Sequence, residues 1–343
     1  MEDRTLVIGP SWVGDMVMAQ ALFRAIKLHY PDTKIDVLAP DWSRPLTERM
    51  PEIHKSLSMP LTHGEFALKR RYQIAKQLPH AYRRSFVLPN SLKSALIPYW
   101  ANIPHRIGWR GEWRYGLLND VRILNKAKYP LMVERYVALA HQQGDALPAQ
   151  LPKPKLSVKQ ENIVQALAKH RLSTEKGPII TLCPGAEFGP SKRWPDEYYA
   201  EVAVYFSKLG YQIWIFGSAK DKTVSEAINQ QANQVCEDLC GKTSLAEAID
   251  LMSLSACVIT NDSGLMHIAA ALNRPLVAVY GSTDPGFTPP LSEHVKIIRT
   301  DIACSPCFKR ECPLGHHQCM KEIHSNRVVQ AVMELIGNEC PHH

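Results

Sequence analysis

Strand-like and helix-like segments alternate along two stretches of this 343-residue chain. The first stretch begins with TLVIG (5–9), a glycine turn, a helical pattern from Asp15 to about Tyr30, and then IDVLAP (35–40). In the second stretch, helical patterns separate the apolar runs IITLCPGA (179–186), QIWIFGS (212–218), CVITND (257–262) and LVAVYG (276–281). Strands that alternate with helices form parallel sheets with helices on both faces. We therefore predict an α/β chain with two doubly wound, Rossmann-like domains.

A proline-rich segment, LPAQLPKPKL (147–156), separates the two stretches, and its three prolines within seven residues predict a stiff, extended linker. We place the domain boundary there, with a first domain over residues 1–150 and a second over 151–325. The amphipathic pattern NRVVQAVMELI (326–336) predicts one more helix. Each domain is long enough to bury its own core. The carboxyl ends of the strands are expected to face a central cleft, because open α/β sheets bind ligands there.

The first glycine turn, GPSWVGDM (9–16), has the glycine spacing of a phosphate-binding P-loop but lacks its key residues. Asp15 and Met16 occupy the places of the lysine and the serine or threonine, and a carboxylate there would repel phosphate. Asp15 stands at a helix start, where the helix dipole favours its charged form. Its place after the first strand suits a general base. Capping of the helix is the alternative role.

The segment NDSGLMH (261–267) follows a strand-like run and precedes a helical pattern that reaches Ala271. The free backbone N–H groups and the dipole of such a helix start favour an anion. Ser263 is the predicted helix cap, and Gly264 would let a phosphate approach the backbone. His267, one turn later, would either donate to a phosphate oxygen or pack in the core. An ordinary capped turn is the alternative for the whole segment.

Two further segments of the second stretch carry polar side chains at strand ends. The turn PGAEFGPSKRWP (184–195) presents Lys192 and Arg193, which would neutralise phosphate or simply be solvated. Asp238, in CEDLCGKTSL (236–245), would accept ribose hydroxyls, with a role in the turn as the alternative.

Positive charge is concentrated in the first domain. Residues 1–150 carry 21 Lys and Arg against 13 Asp and Glu, whereas the remainder carries 19 against 20. A basic half of this kind indicates nucleic acid, an anionic membrane surface or a phosphorylated substrate, and a solvated surface is the alternative. No RNA-binding signature or zinc-finger spacing supports nucleic acid.

A basic and aromatic segment, PHRIGWRGEWRYG (104–116), follows the predicted strand FVLPN (86–90) and the helical pattern SLKSALIPYWA (91–101). Its arginines suit phosphate or carboxylate groups, and its tryptophan faces suit sugar rings. An exposed loop with ordinary ion pairs is the alternative. The pattern LMVERYVALAHQQ (131–143) predicts an amphipathic helix that closes the domain.

The nine cysteines begin only at Cys183, and four lie close together as Cys304, Cys307, Cys312 and Cys319. Spacings of two, four and six residues between these four suit zinc or an iron–sulfur cluster, with a loop of reduced thiols as the alternative. The chain contains neither Asp-x-Asp nor HExxH, so the sequence does not predict metal-assisted phosphate chemistry. The segment MEDRTLVIGP is not typical of a signal peptide, and no apolar run approaches the ~18 residues of a membrane span. We expect a cytoplasmic protein.

Several segments, in order from residue 5 to about 290, together resemble the ADP-heptose–lipopolysaccharide heptosyltransferases of glycosyltransferase family nine. They are GPSWVGDMVMAQ, LPNSLKSAL, IPHRIGWRGEWRYGLLND, LMVERY, CPGAEFGPSKRWP, FGSAKD and TNDSGLMHIAAALNRPLVAVYG. The resemblance implies a GT-B fold with an N-terminal acceptor domain, a C-terminal ADP-heptose domain, and residues 326–343 packing back on the N-terminal domain. It also implies inverting, metal-independent transfer. It leaves the cysteine-rich segment without an interpretation.

By motif position the resemblance implies that Asp15 is the general base, that Lys192 binds phosphate and that Ser263 to His267 form the pyrophosphate turn. Asp238 matches the ribose-binding acid only loosely, and the family often has threonine in place of Ser263. The implied donor-binding residues are Gly185, Lys192, Asp238, Asp262, Ser263, Gly264, Leu265, Met266 and His267. The implied acceptor-binding residues are Asn90, Lys93, Arg106, Trp109, Arg110 and Arg114.

The resemblance implies ADP-heptose as the donor, no cofactor and no nucleic-acid partner. Its closest counterparts add the second heptose of the lipopolysaccharide inner core, whose phosphates and carboxylates would meet the basic N-terminal half at the cytoplasmic face of the inner membrane. Transfer to an acceptor that lacks the first heptose is the nearest alternative. A nucleotide-sugar epimerase and a catalytically silent nucleotide-sugar-binding protein are the others.

Overall fold

The computed structural model describes residues 3–61, 64–79 and 81–337. The chain divides into two compact units, Met1–Leu156 and Ser157–His343, so the division falls at the end of the proline-rich segment. No helix among the described residues is both long and apolar enough to cross a membrane.

The first unit contains six strands and five α-helices among its described residues. Its strands are β1 (Arg4–Ile8), β2 (Lys34–Ala39), β3 (Ile53–Ser58), β4 (Tyr82–Val87), β5 (His105–Trp109) and β6 (Asp120–Arg122). Its helices are α1 (Val13–His29), α2 (Arg44–Thr47), α3 (Leu68–Gln77), α4 (Leu96–Trp100) and α5 (Met132–Val137). The helix predicted over 131–143 is thus shorter, because α5 gives way to a 3-10 turn at Ala138–Ala140.

All six of these strands are parallel, in the order β3-β2-β1-β4-β5-β6. The order reverses direction between β1 and β4, where Ile8 pairs with Val87. Such a reversal leaves a crevice at the carboxyl ends of the two central strands. The residues that follow β1 and β4 therefore lie at the place where this fold binds ligands.

The second unit contains six strands and seven α-helices over its described part, which ends at residue 337. Its strands are β7 (Ile179–Cys183), β8 (Gln212–Ile215), β9 (Cys236–Asp238), β10 (Ser255–Asn261), β11 (Leu276–Val279) and β12 (Val295–Ile298). Its helices are α6 (Gln160–His170), α7 (Asp196–Lys208), α8 (Lys222–Gln231), α9 (Leu245–Met252), α10 (Gly264–Ala271), α11 (Gln318–Lys321) and α12 (Ser325–Ile336).

The second sheet has the same topology as the first. Its parallel strands run in the order β12-β11-β10-β7-β8-β9, and the reversal lies between β7 and β10, where Thr260 pairs with Cys183. The segments that follow β7 and β10 are the turn 184–195 and NDSGLMH, so both lie at the crevice of this sheet. The prediction of two doubly wound, Rossmann-like domains is confirmed.

The helix α12 belongs to the core of the second unit. Val328, Ala331 and Val332 are buried, and α12 packs against α7 and the strands β10, β11 and β12. The packing of residues 326–343 on the first domain stays a prediction, and residues 338–343 lie outside the described part of the chain.

Candidate functional site

Asp15 lies in the first turn of α1, directly after β1. A Cβ on Gly9 would come within 2.8 Å of the Met16 side chain and 3.0 Å of Ala39, so glycine lets this turn approach the sheet closely. Burial raises the pKa of the Asp15 carboxyl to about 6. A carboxylate with that pKa is ionised at neutral pH and basic enough to accept a proton, as general base catalysis requires.

Tyr136, on α5, is the hydrogen-bond partner of Asp15. Its hydroxyl donates to the carboxylate and lowers the pKa of Asp15, against the larger effect of burial. Burial and the neighbouring carboxylate raise the pKa of the Tyr136 hydroxyl well above its usual value, so the phenol remains a donor. The ring is 6% exposed, so it fixes the direction in which the carboxylate points. We did not predict this residue, although it lies within the LMVERY motif.

Replacing Tyr136 by phenylalanine should move the acidic limb of the pH–rate profile to higher pH. The Asp15 carboxylate loses a hydrogen bond that stabilises its charged form, so a smaller fraction is ionised at mildly acidic pH. A charge-assisted hydrogen bond of about 1.5 kcal/mol corresponds to a roughly tenfold loss of rate on that limb and a smaller loss at pH 8. Rates of the heptose transfer that the family resemblance implies, measured from pH 5 to pH 8.5, test this expectation.

Tyr82 provides a matched control in the same unit. Its buried hydroxyl donates to Asp36 at 2.7 Å, so Tyr82→Phe removes the same kind of tyrosine–carboxylate bond away from Asp15. The control variant should lose stability and keep the wild-type pH profile. An unshifted acidic limb in a folded Tyr136→Phe variant would mean that the hydrogen bond does not tune the base.

Three of the predicted acceptor-binding residues lie on an accessible surface of the first unit. Asn90 is exposed after β4, and Lys93 is half-buried and donates to the carbonyl of Gly64 at 2.6 Å. The guanidinium of Arg110 lies 5.3 Å from the centre of the Trp113 ring, which is 71% exposed. These side chains are available to a polar, sugar-containing ligand.

The other three predicted acceptor-binding residues are held by the fold. Arg114 is fully buried and donates to Ser94 Oγ and to the carbonyls of Pro89 and Trp109. Trp109 is 8% exposed, and its indole N–H donates to the carbonyl of Arg135 at 3.1 Å. These contacts contradict a direct role of either side chain in ligand binding, because neither presents a free polar group at the surface.

Arg106 also has internal partners. Its Nε and one terminal nitrogen donate, each at 2.6 Å, to the carbonyls of Leu117 and Ile103. The residue is half-buried, so its guanidinium mainly fixes the segment between β5 and β6. Acceptor binding by Arg106 and by Arg110 stays a prediction, whereas Arg114 is buried.

The turn between β10 and α10 has the geometry of an anion site. Ser263 occupies the helix-cap position with extended backbone, yet its side chain forms no capping hydrogen bond and instead lies 3.2 Å from Thr260 Oγ1. The first N–H groups of the helix, on Gly264, Leu265 and Met266, have no acceptor within the helix itself. Ser263 thus occupies the predicted cap position, but its hydroxyl does not accept a hydrogen bond from the helix N–H groups. Those N–H groups are left for a ligand.

Lys192, in the turn that follows β7, has its side chain oriented by an ion pair. Its ammonium lies 2.5 Å from the Asp262 carboxylate, which also accepts a hydrogen bond from Thr283 at 2.7 Å. Both charged side chains are largely buried, with 13% and 6% of their surfaces exposed. Asp262 therefore positions the lysine beside the start of α10, and Thr283 is a further member of this set that we did not predict.

His267 lies near the same ion pair and is buried. Burial, assisted by the charge of Lys192, lowers the pKa of the imidazole to about 4. The ring is consequently neutral at physiological pH and offers at most one N–H donor. In the free protein His267 is therefore a neutral donor or a packing group, and its part in phosphate binding stays a prediction.

Gly185 and Asp238 have local structural partners. A Cβ on Gly185 would come within 2.7 Å of the Asp221 carboxylate, so this position brings the backbone close to another element. The two carboxylate oxygens of Asp238 accept from Ser225 Oγ and from the backbone N–H of Cys240, each at 3.0 Å. Asp238 therefore has the role in the turn that was the alternative interpretation. Binding of ribose by Asp238 stays a prediction.

The sequence profile of glycosyltransferase family 9 (heptosyltransferase) matches residues 71–318, which is more than half of the chain. The chain belongs to glycosyltransferase family 9. It is 48% identical to lipopolysaccharide heptosyltransferase 2 of Salmonella typhimurium over 98% of this chain and 99% of that protein. The solved structure of ADP-heptose lipopolysaccharide heptosyltransferase II from E. coli has a TM-score of 0.85, at 47% identity, and covers 97% of this chain and 98% of its own.

A second kind of heptosyltransferase is similar in sequence over a much smaller part of the chain. Lipopolysaccharide heptosyltransferase 1 of E. coli is 30% identical over 125 residues, which are 35% of this chain and 38% of that protein. Sequence similarity over nearly the full length therefore distinguishes the first kind of relative from the second.

Proposed function

We propose that this chain transfers L-glycero-D-manno-heptose from ADP-heptose to the first heptose of the lipopolysaccharide inner core, with inversion at the anomeric carbon. The observation that carries the proposal is the 48% identity, over nearly the whole chain, to a protein named lipopolysaccharide heptosyltransferase 2. The match to heptosyltransferase 1 covers only 35% of the chain, so it supports that alternative less.

Asp15 has the properties that the first half of this reaction needs. In the proposed mechanism its carboxylate takes the proton from the acceptor hydroxyl as that oxygen attacks the anomeric carbon of ADP-heptose from the face opposite the leaving group. The hydrogen bond from Tyr136 holds the carboxylate in one orientation before the substrate arrives. A positioned base of this kind typically contributes about 10²–10⁴-fold to a rate.

Lys192 and the start of α10 have the properties that the leaving group needs. ADP gains negative charge as the glycosidic bond breaks. The ammonium of Lys192 and the N–H groups of Gly264 and Leu265 would stabilise that charge, and one well-aimed donor is worth up to ~3–4 kcal/mol. Arg193 supports the assignment, since its Nε is a buried donor that lacks an acceptor among the described residues.

We further propose that the transfer needs no divalent metal ion. The sequence lacks Asp-x-Asp, the arrangement with which many glycosyltransferases hold a metal against a pyrophosphate. Lys192 and the helix start would supply the positive potential that a metal provides in those enzymes.

A comparison of two acceptors tests the function directly. Heptose transfer from ADP-heptose is measured on Kdo2-lipid A and on its monoheptosylated form, each with and without EDTA. We expect transfer only to the monoheptosylated acceptor and an equal rate in both buffers. Transfer only to the bare acceptor would establish the alternative acceptor. Binding of ADP-heptose without transfer to either acceptor would indicate a silent nucleotide-sugar-binding protein.

The first unit also has a surface suited to an anionic membrane. We name the exposed side chains Phe66, Leu92, Trp113 and Tyr115 the apolar rim; three of them are aromatic, and all four are between 36% and 71% exposed. Hydrogen bonds join the segments that carry them, from Lys93 to Gly64 and from the Leu92 N–H to Glu112. Aromatic side chains beside lysines and arginines favour the interface of a bilayer with anionic lipids. We propose that this rim brings the enzyme to its lipid-linked acceptor.

Sedimentation with vesicles tests the membrane proposal. We expect binding to vesicles that contain phosphatidylglycerol, weak binding to pure phosphatidylcholine, and release at high salt because exposed charges are screened. Replacing Trp113 and Tyr115 by serine should reduce binding several-fold. Tyr205→Ser, which removes an exposed aromatic side chain from α7, is the control and should bind like the wild type. Wild-type protein that stays in the supernatant at low salt would contradict the proposal.

A further inference from the structure

The four cysteines of residues 304–319, which we call the cysteine loop, share one small cavity. Its volume is about 20 Å³, and its lining includes Cys304, Cys307, Cys312 and Cys319 together with His316 and His317. A cavity of this size holds one atom-sized occupant. All four thiols are free of disulfide bonds, and three of them are only partly buried.

The turn after Cys312 is folded around the sulfur of that residue. The backbone N–H groups of residues 314 to 317 donate toward Cys312 Sγ, and the N–H of Gly315 also donates to the Cys312 carbonyl at 3.1 Å. N–H groups aimed at sulfur stabilise a thiolate, which is the form of cysteine that binds metals. This arrangement prepares Cys312 to be a ligand.

Cys319 lines the same cavity and is buried. It is close enough to Cys304, Cys307 and Cys312 for their charges to act on it. Four thiolates at such a distance repel one another, so all four lose their protons together only when a cation lies among them.

We propose that Cys304, Cys307, Cys312 and Cys319 bind one transition-metal ion, zinc or iron, through four thiolates. Four sulfur ligands suit a tetrahedral ion of this class, and the cavity has room for one ion. Among residues 3–61, 64–79 and 81–337 no group of three or more Cys, His, Asp or Glu side chains already has the arrangement of a metal site. The thiols must therefore turn into the cavity as the ion binds, each releasing its proton to water.

The cysteine loop supports the turn that carries Lys192. The N–H of Ser191 donates to the carbonyl of Arg310 at 3.2 Å, and the hydroxyls of Ser191 and Ser282 lie 2.9 Å apart. The N–H of Phe308 donates to the carbonyl of Ser282 at 2.7 Å. Ser191 precedes Lys192, and Ser282 precedes Thr283, which bonds Asp262. A metal ion that fixes the loop would therefore also fix the Lys192–Asp262 pair.

The proposed ion is structural. Four protein ligands complete a tetrahedral shell and leave no position for a substrate, whereas catalytic metals keep one open. The inference depends on the geometry of the loop and stands independently of the acceptor proposed above. It is compatible with a transfer step in which no metal takes part.

Metal analysis of the full-length protein, purified without chelators and with its thiols reduced, is the direct test. We expect about one zinc or iron per chain by plasma mass spectrometry, and the element that is found shows whether the ion is zinc or iron. Cobalt reconstitution should give the intense sulfur-to-cobalt charge-transfer absorption of a tetrathiolate site. Mercurial titration of the wild-type thiols should release one equivalent of metal as four thiols react, and this readout needs no variant.

Cys307→Ser should lose the metal and have a lower melting temperature, whereas Cys236→Ser changes a buried cysteine on β9 and should keep the metal. The proposal is overturned if reduced wild-type protein binds neither zinc, iron nor cobalt, or if intact mass shows disulfides within the loop. Metal content is measured again after the EDTA transfer assay. A loss of both activity and metal in EDTA would be attributed to removal of the ion. An absence of transfer in protein that retains its metal would instead contradict the proposed transfer reaction.

Discussion

The Asp15→Asn variant should transfer heptose at least ~100-fold more slowly than the wild type at pH 7.5, because it keeps the shape of the side chain and removes the proton acceptor. The affinity for ADP-heptose should stay within about twofold, since donor binding is assigned to the second unit. Single-turnover transfer and calorimetric titration of the donor measure the two quantities separately. The wild-type rate should itself fall about tenfold per pH unit below pH 6, because the pKa of Asp15 is about 6.

Stability provides the control for this variant. The pKa of the Asp15 carboxyl is raised from 3.8 to about 6 on folding, so the folded protein favours its neutral form. Ionisation of this group therefore lowers the free energy of unfolding as pH rises through that window. The asparagine side chain carries no charge, so the Asp15→Asn variant should melt at or above the wild-type temperature at pH 7.5. A variant that is folded and transfers heptose at near the wild-type rate would assign the base to another residue.

Lys192→Met should lower kcat/KM for ADP-heptose by about 10²–10³-fold, which is the usual effect of removing one donor that stabilises developing negative charge. Methionine retains most of the length of lysine without its charge. Part of the loss should appear in kcat, since ADP carries more negative charge as it leaves than when it is bound as the sugar nucleotide. Steady-state kinetics over donor concentration and titration with ADP measure both effects.

Lys220→Met is the matched control for the second variant. Lys220 forms an ion pair with Glu187 at 2.7 Å in the same unit, but both side chains are more than half exposed. Removing it should leave kcat/KM within about twofold, because exposed ion pairs contribute little. Lys192→Met also leaves Asp262 with Thr283 as its remaining partner, so its melting temperature should fall. A Lys192→Met variant with wild-type kinetics and a lowered melting temperature would make the ion pair purely structural.

Apolar periodicity predicted the central strands and the long helices because they bury continuous apolar faces. The helical pattern predicted from Asp15 to about Tyr30 corresponds to α1, and the run at 179–186 contains β7. The edge strand β3 was not predicted, since IHKSLS carries polar side chains and is only partly buried. The three-residue strand β9 is too short to show a period.

The sequence allowed a site residue to be predicted where its position depends on its immediate neighbours in the chain. Asp15 and the NDSGLMH segment follow strands and begin helices, and that pattern alone places them at the crevices of the sheets. Tyr136 was missed because its partner lies 121 positions earlier in the chain. Arg114 was misinterpreted because the sequence shows an arginine among tryptophans, whereas its buried carbonyl partners come from the segment after β4 and from the end of β5.

The loop over residues 110–115, in which the guanidinium of Arg114 is buried, contains two kinds of position: some residues are held by the fold, and others are accessible to solvent. Arg114 holds the loop against Pro89, and Gly111 lies so close that a Cβ there would come within 2.2 Å of the Asn90 carbonyl oxygen. Trp113 and Tyr115 are exposed instead, and the guanidinium of the half-buried Arg110 lies 5.3 Å from the centre of the Trp113 ring. On the proposed assignment of the acceptor to this loop, saturation mutagenesis at these three positions should change acceptor preference, while Gly111 and Arg114 are kept fixed to preserve the scaffold.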